Sequence, residues 1–186
     1  MIDISPADLI ALAHKGYKPE IVTALADHAE HVLADYGINT RLRTCHFWAQ
    51  AAHECDGFKT MREYASGRAY EGRKDLGNVN PGDGVRYKGR GIFQLTGRAN
   101  YARMGTLLNL PLIAHPELAE GPETALRIAC EYWKSRNLNR LADKDDILGV
   151  SIGINGKNKK TGLPNHLPER KAKLAIAKRI WKDGEQ

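Results

Sequence analysis

Apolar residues in this chain return every three or four positions over most of its length, a spacing that only a helix buries on one side. In PEIVTALADHAEHVLADYG the set Val22, Leu25, Ala29, Val32, Leu33 and Tyr36 forms such a stripe, opened by Pro19 and stopped by Gly37. Before it, Ser5 with Pro6 beside it and Asp8 three residues on starts a short helix that carries Leu9, Ile10, Leu12 and Ala13 until Gly16. A third helix starts at Asn39 or Thr40, carries Leu42, Cys45, Trp48, Ala49 and Ala52, and ends near Gly57. The pattern returns from Arg98 to Leu108 and in GPETALRIACEYWKSR, where Pro122 sits in the first turn and Leu126, Ala129, Cys130 and Trp133 share a side. Another helix runs from Asp145 to the polar segment 155–165, and a basic last one runs from Pro168 to Trp181 and ends at Gly184. The expected fold is mainly α.

One region departs from this. Between Gly67 and Gly91 glycines, Asn78, Asn80, Pro81 and Asp83 dominate, and NPGDG signals a turn, so an irregular glycine-rich connection with a short hairpin is expected at the centre of the chain. With 186 residues and no internal repeat, the expectation is one domain over 1–186. The apolar fraction of 42% suits a soluble protein, and the net charge of +6 points to a polyanionic partner, nucleic acid or a bacterial wall. A nucleic-acid binder would cluster cations with stacking aromatics; here the charge is spread and the aromatics sit on helix faces, so no nucleic acid is expected. Cys45, Cys55 and Cys130 are odd in number and lack C-x-x-C spacing, which argues for reduced thiols rather than a disulfide framework or a zinc site. The N-terminus carries acids where a signal peptide carries lysines, and no run approaches the ~18 apolar residues of a bilayer span. Synthesis in the cytoplasm without a signal peptide, no stable membrane insertion and a monomeric state are expected.

The stretch RYKGRGIFQLTGRANY, residues 86–101, concentrates four basic residues and three glycines around a short apolar run. Neither phosphate-binding template fits: G-x-G-x-x-G would need a glycine at Gln94, and a P-loop would need Lys and Ser/Thr where Arg98 and Ala99 follow Gly97. Glu54, in AAHECDGF, closes a helix with an apolar face; a carboxyl shielded by that face would hold its proton and suit a general acid. Nine residues on, Glu63 offers a second carboxylate, with Arg62 beside it to keep it ionised, and two carboxylates in contrasting surroundings are what glycoside hydrolysis requires. His53 lacks the second histidine of H-E-x-x-H, and His46 brings no third ligand, so no metal and no cofactor are expected. A thiol peptidase built on Cys55 and His115 finds nothing that would lower the thiol pKa.

The order AQAAHEcdGF, a carboxylate nine residues later, YKGRGIFQLTGRANY, then ING and a downstream arginine resembles the family 19 glycoside hydrolases, the chitinase group, and in particular short phage-type endolysins. The resemblance spans about Trp48 to Arg170. It implies a lysozyme-like α-helical fold and an inverting hydrolase of β-1,4 bonds in peptidoglycan, with chitin hydrolysis or a non-catalytic wall-binding module as alternatives. It further implies holin-dependent release to the wall. Glu54 corresponds to the general acid and Glu63 to the base, with Glu71 and Asp75 as rivals for the base; Thr96 corresponds to the residue that holds the attacking water. His53, Tyr87, Gln94, Asn100 and Asn155 correspond to cleft residues, and Arg170 to the arginine that supports the acidic pair. The glycines are expected to let backbone approach a sugar chain. Lys88 stands where plant-type members carry a second tyrosine, which favours an anionic glycan over neutral chitin.

Overall fold

The computed structural model describes residues 2–182, so Gly184 lies outside the described residues. The chain is mostly helical: α1 Pro6–Leu12, α2 Pro19–Asp35, α3 Arg41–Glu54, α4 Asp83–Arg86, α5 Arg98–Leu108, α6 Pro122–Ser135, α7 Leu138–Ala142, α8 Ile147–Asn155 and α9 Leu167–Ile180. The starts follow the local chemistry. Ser5 and Asp8 form a reciprocal capping box on α1, Thr40 accepts the Arg43 N–H at the head of α3, and Asp146 accepts from Gly149 at the head of α8. Helix α7 has no counterpart in the sequence reading, because five residues are too few to display a period.

Helix α3 lies at the middle of the packing. Thr44 through Ala52 are all buried, so this helix has no solvent face along most of its length, and α9 lies along it. Phe47 meets Trp48, Phe93 and Trp133 edge-on, with ring centroids 5.4, 5.8 and 5.5 Å away. Phe47, Trp48 and Trp133 are fully buried and Phe93 partly so, and each fully buried side chain of this size contributes roughly 1.5–3 kcal/mol through removal from water. A second, smaller cluster of Tyr87, Tyr101, Met104, Leu108, Leu112, Ala119 and Ile128 sits beneath the central loop region.

The expected hairpin does not form. Among the described residues there are only isolated bridges, Arg62 with Arg90 and Arg90 with Leu95, and the rest of the region is built from short 3-10 turns at Arg68–Tyr70 and Lys74–Leu76 followed by α4. The reason lies in where the backbone N–H groups go. Asp83 accepts from Val79 and Asn80 at 3.1 and 2.9 Å, and Glu71 accepts from Gly82 and Gly84 at 2.6 and 2.8 Å, so carboxylates take the donors that a strand partner would otherwise have used.

Candidate active site

Glu54 is the last residue of α3, and Cys55 and the turn after it break the helix so that the carboxyl keeps 19% of its side chain exposed. The apolar shield expected around it is replaced by a buried cation. Arg170, from the first turn of α9 and only 1% exposed, donates to Glu54 Oε1 at 2.5 Å, to Gln50 Oε1 at 2.5 Å and to the Asn165 carbonyl at 3.0 Å. Gln50 in turn donates to the buried Ser151 hydroxyl on α8 at 3.2 Å. A guanidinium at this depth is tolerable because all three acceptors are preset, two by α3 and the third by the turn that leads into α9. Next to it, the His53 imidazole is held down to about 4 by burial and by the Arg170 charge, so it is neutral near pH 7; its ring lies 5.6 Å from that of His166.

Glu63 is placed by main chain. Its N–H donates to the Gly89 carbonyl at 3.0 Å, and the Gly89 N–H returns a 2.5 Å bond to its Oε2. Tyr70 lies close to the Glu63 carboxylate, and burial together with that negative charge raises the Tyr70 pKa. Arg62 stays exposed and does not carry this site; the arginine in the acidic pair sits on Glu54 instead. The rivals for the base have other partners. Glu71 is the cap of Gly82 and Gly84, and Asp75 is clamped by Arg73 in two bonds of 2.7 and 2.5 Å.

Gly89 explains why the loop closes as it does. A Cβ there would stand 2.6 Å from Gln94 Oε1, 2.7 Å from Glu63 Oε2 and 3.3 Å from Thr96 Oγ1, so three side chains converge on the space that glycine leaves. The expected role of these glycines is thereby revised. A Cβ on Gly91 would meet the Ala119 carbonyl, and one on Gly97 would meet Leu76, so the missing side chains admit protein rather than a sugar chain.

The remaining candidates fall into two groups. Gln94, Thr96 and Asn100 line one pocket of about 280 Å³ together with Tyr132. Thr96 donates to the Gln94 carbonyl at 2.9 Å, and Asn100 donates to the Thr96 carbonyl at 2.8 Å, which fixes their order around the opening. Glu54 lies within electrostatic reach of Tyr132, and burial with that negative charge raises the Tyr132 pKa against the opposing effect of Arg136. Asn155 does not join this group; its Oδ1 accepts the Asn165 N–H at 2.9 Å, and the Asn165 carbonyl is an acceptor of Arg170. Tyr87 does not line the pocket either. It is 1% exposed in the smaller core cluster, with its hydroxyl donating to the Ile113 carbonyl at 3.1 Å, because α5 folds back over it.

All four cations of residues 86–101 are engaged within the protein. Arg86 holds the carbonyls of Ile113 and Ala114, Lys88 those of Glu63 and Ala65, Arg90 meets Glu120 at 2.7 Å, and Arg98 meets Asp83 at 3.0 Å. Lys88 thus braces the loop behind Glu63, which removes it as a reader of glycan charge. The three cysteines are free and buried, and burial pushes the Cys55 thiol up to about 12. Among the described residues no helix is long and apolar enough to cross a membrane, and no group of three or more His, Cys, Asp or Glu is arranged to hold a metal. Sequence reasoning missed Gln50, Tyr70 and Gly89; only the glycine between two basic residues left a visible signal.

No family model matches the chain. It is 26% identical over 152 residues to a glycosyl hydrolase family 19 domain-containing protein of Haemophilus influenzae, covering 64% of this chain and 76% of that one. It is 30% identical over 105 residues to acidic endochitinase Q of Nicotiana tabacum, where the match covers 55% of this chain and 39% of the tobacco protein. The fold is shared with chitinase C from Streptomyces griseus at a TM-score of 0.73, with 23% identity and coverage of 96% of this chain and 76% of that chain. A bacterial family 19 chitinase superposes at a TM-score of 0.70 with 20% identity, over 97% of this chain and 95% of the other.

Proposed function

The relatives and the fold together support assignment of the chain to glycoside hydrolase family 19, and from that premise we propose that it cleaves β-1,4 bonds of peptidoglycan as an endolysin-type enzyme. The catalytic unit is one domain over 1–186, acting as a monomer. The observation that carries this reading is a pair of differently held carboxylates beside one pocket: Glu63 shares the space at Gly89 with Gln94 and Thr96, which line it, and the charge of Glu54 acts on Tyr132, which lines it too.

In this reading Glu54 is the general acid. Arg170 occupies Oε1, which leaves Oε2 as the oxygen that hands a proton to the glycosidic oxygen as the bond breaks; the carboxylate left behind is met by the guanidinium already in place. Glu63, fixed by the Gly89 N–H with Tyr70 close by, takes a proton from water. Thr96 and Gln94 hold that water, and Asn100 contacts the sugar. Single displacement leaves room for water between the carboxyl groups and inverts the anomeric centre. Asn155 and His53 act from the wall around Arg170, the first by fixing the segment that Arg170 binds, the second as a neutral neighbour.

A second reading, hydrolysis of chitin oligosaccharides, is favoured by the relatives that are themselves named chitinases. Purified sacculi and chitin hexasaccharide, each digested with wild type, Glu54→Gln and Glu63→Gln, separate the two. The expected result is release of reducing ends from sacculi, lost by about two orders of magnitude or more in both variants while circular dichroism stays native. Cleavage of the hexasaccharide alone selects the chitin reading. A β-anomer as first product by proton NMR rejects single displacement.

A further inference from the structure

Resting on the glycosidase reading above, we propose that Arg103 and Arg136 form a carboxylate-reading pair at the pocket beside the acidic residues. They select glycans whose sugars carry an anionic side arm over neutral ones. The two arginines come from different elements, Arg103 from α5 and Arg136 from the C-terminal end of α6, and both line the pocket that holds Gln94, Thr96 and Tyr132. Arg43, Arg73, Arg90, Arg98 and Arg170 are each paired with a carboxylate of the protein. Arg103 and Arg136 are not: among the described residues their polar contacts are neutral, Arg103 with Asn100 Oδ1 at 3.4 Å and Arg136 with Ser135 Oγ at 3.1 Å.

Arg136 is also restrained. Its guanidinium carbon stands 3.5 Å from the centre of the Tyr132 ring, a cation–π contact that holds the side chain at the pocket, and a guanidinium offers a carboxylate two parallel bonds. A surface cation that merely capped the α6 dipole would need neither the ring nor the pocket. Chitin offers these arginines nothing beyond hydroxyl and acetamide groups. A peptidoglycan strand offers the lactyl ether of every second sugar, whose carboxylate is free where the stem peptide has been removed, or the carboxylates of the stem itself.

The test compares three glycan strands with chitin hexasaccharide: strands stripped of stem peptide, strands that keep it and so mask the lactyl group as an amide, and stripped strands whose carboxylates have been amidated with a carbodiimide. For the double variant Arg103→Gln, Arg136→Gln, the ratio of kcat/KM on stripped strands to that on hexasaccharide is expected to fall about tenfold through KM, the effect of one lost charge-assisted bond. Arg103→Lys, Arg136→Lys is expected to recover part of it. Amidation should lower the wild-type rate by a similar factor. The same dependence on stem-bearing strands assigns the recognised carboxylates to the peptide; dependence on stripped strands alone assigns them to the lactyl group. A uniform loss on all substrates, or a wild-type rate indifferent to amidation, overturns the pair while leaving peptidoglycan hydrolysis standing. Failure of the wild type on every strand, with hexasaccharide still cleaved, overturns both.

Discussion

The two acidic residues are held in contrasting ways. Glu54 hangs from the end of a wholly packed helix, and its partner Arg170 comes from α9, which lies along that helix; their meeting is a property of two rigid elements. Glu63 sits in a region with no strand ladder and only short turns, and it is placed by a reciprocal pair of main-chain bonds with Gly89 and by the void that glycine leaves. The first is fixed by core packing and the second by backbone hydrogen bonding, so the two should fail under different substitutions. Helix packing gives a position that costs much stability to lose. Loop bonding gives one that can be lost with the core intact.

The sharpest way to break that contrast is Arg170→Met. It strands Gln50 Oε1, the Asn165 carbonyl and the Glu54 carboxyl together, and removal of one partner of a buried pair costs about 3–5 kcal/mol. A large fall in Tm by calorimetry, with activity lost in parallel, is the expected outcome; an unchanged Tm would mean that the α3–α9 contact does not depend on this cation. Gly89→Ala should behave in the opposite way. Its Cβ would displace Glu63 Oε2 and Gln94 Oε1, so kcat is expected to drop about tenfold or more through misplacement of the carboxylate while Tm moves little. Full activity in this variant would show that the Gly89 bond is dispensable.

A smaller effect sharpens the helix side alone. His53 titrates at about 4 instead of its ordinary 6.5, so the neutral form is favoured in the folded state and the unfolded chain binds more protons between these values. The stability this contributes is present above pH 6.5 and is lost as pH falls toward 4. NMR titration of the His53 ring should give a midpoint near 4, and a midpoint near 6.5 would mean that the Arg170 charge and burial do not act on it. The smallest effect belongs to the outer face of α9. Lys178 donates to Asp145 and Lys173 is buried against the Leu12 carbonyl, which leaves Lys171 on the helix and Lys182 just past its end as the exposed lysines. Lys171→Gln with Lys182→Gln should slow lysis of whole cells severalfold at low salt and hardly at 0.15 M, where the Debye length is about 8 Å. Equal slowing at both salts would assign the loss to something other than long-range attraction.

The helices were legible because their signals are local. Ser5, Thr40, Pro19 and Pro122 start helices within a residue of where the sequence places them, and the stripes of α2 and α6 are the buried ones. Glu54 and Glu63 stood out in the sequence as candidates, but their surroundings did not. Arg62 looked like the partner of Glu63 because it is adjacent in sequence, whereas the arginine of the pair lies 116 residues from Glu54 along the chain. Tyr87 looked like a cleft residue because it belongs to a motif, and the motif turned out to include the small core beneath the cleft. The short hairpin was expected from turn residues alone, which report where the chain bends and not whether carboxylates such as Glu71 and Asp83 will take the donors of a ladder.

By itself the sequence determined the helical class, the starts of the longer helices and the glycine-rich interruption, since periodicity, caps and turn chemistry act over a few residues, and it singled out Glu54 and Glu63 as candidates. The tertiary structure alone decided that the cation sits on Glu54, that Gly89 makes room for Glu63 and Gln94, that Lys88 and Tyr87 are spent inside, and that Arg103 and Arg136 face a shared pocket. Each of these depends on which atoms meet across long stretches of chain. Such meetings are set by how the stripes of α3, α5, α6 and α9 pack together, and no local spacing encodes them.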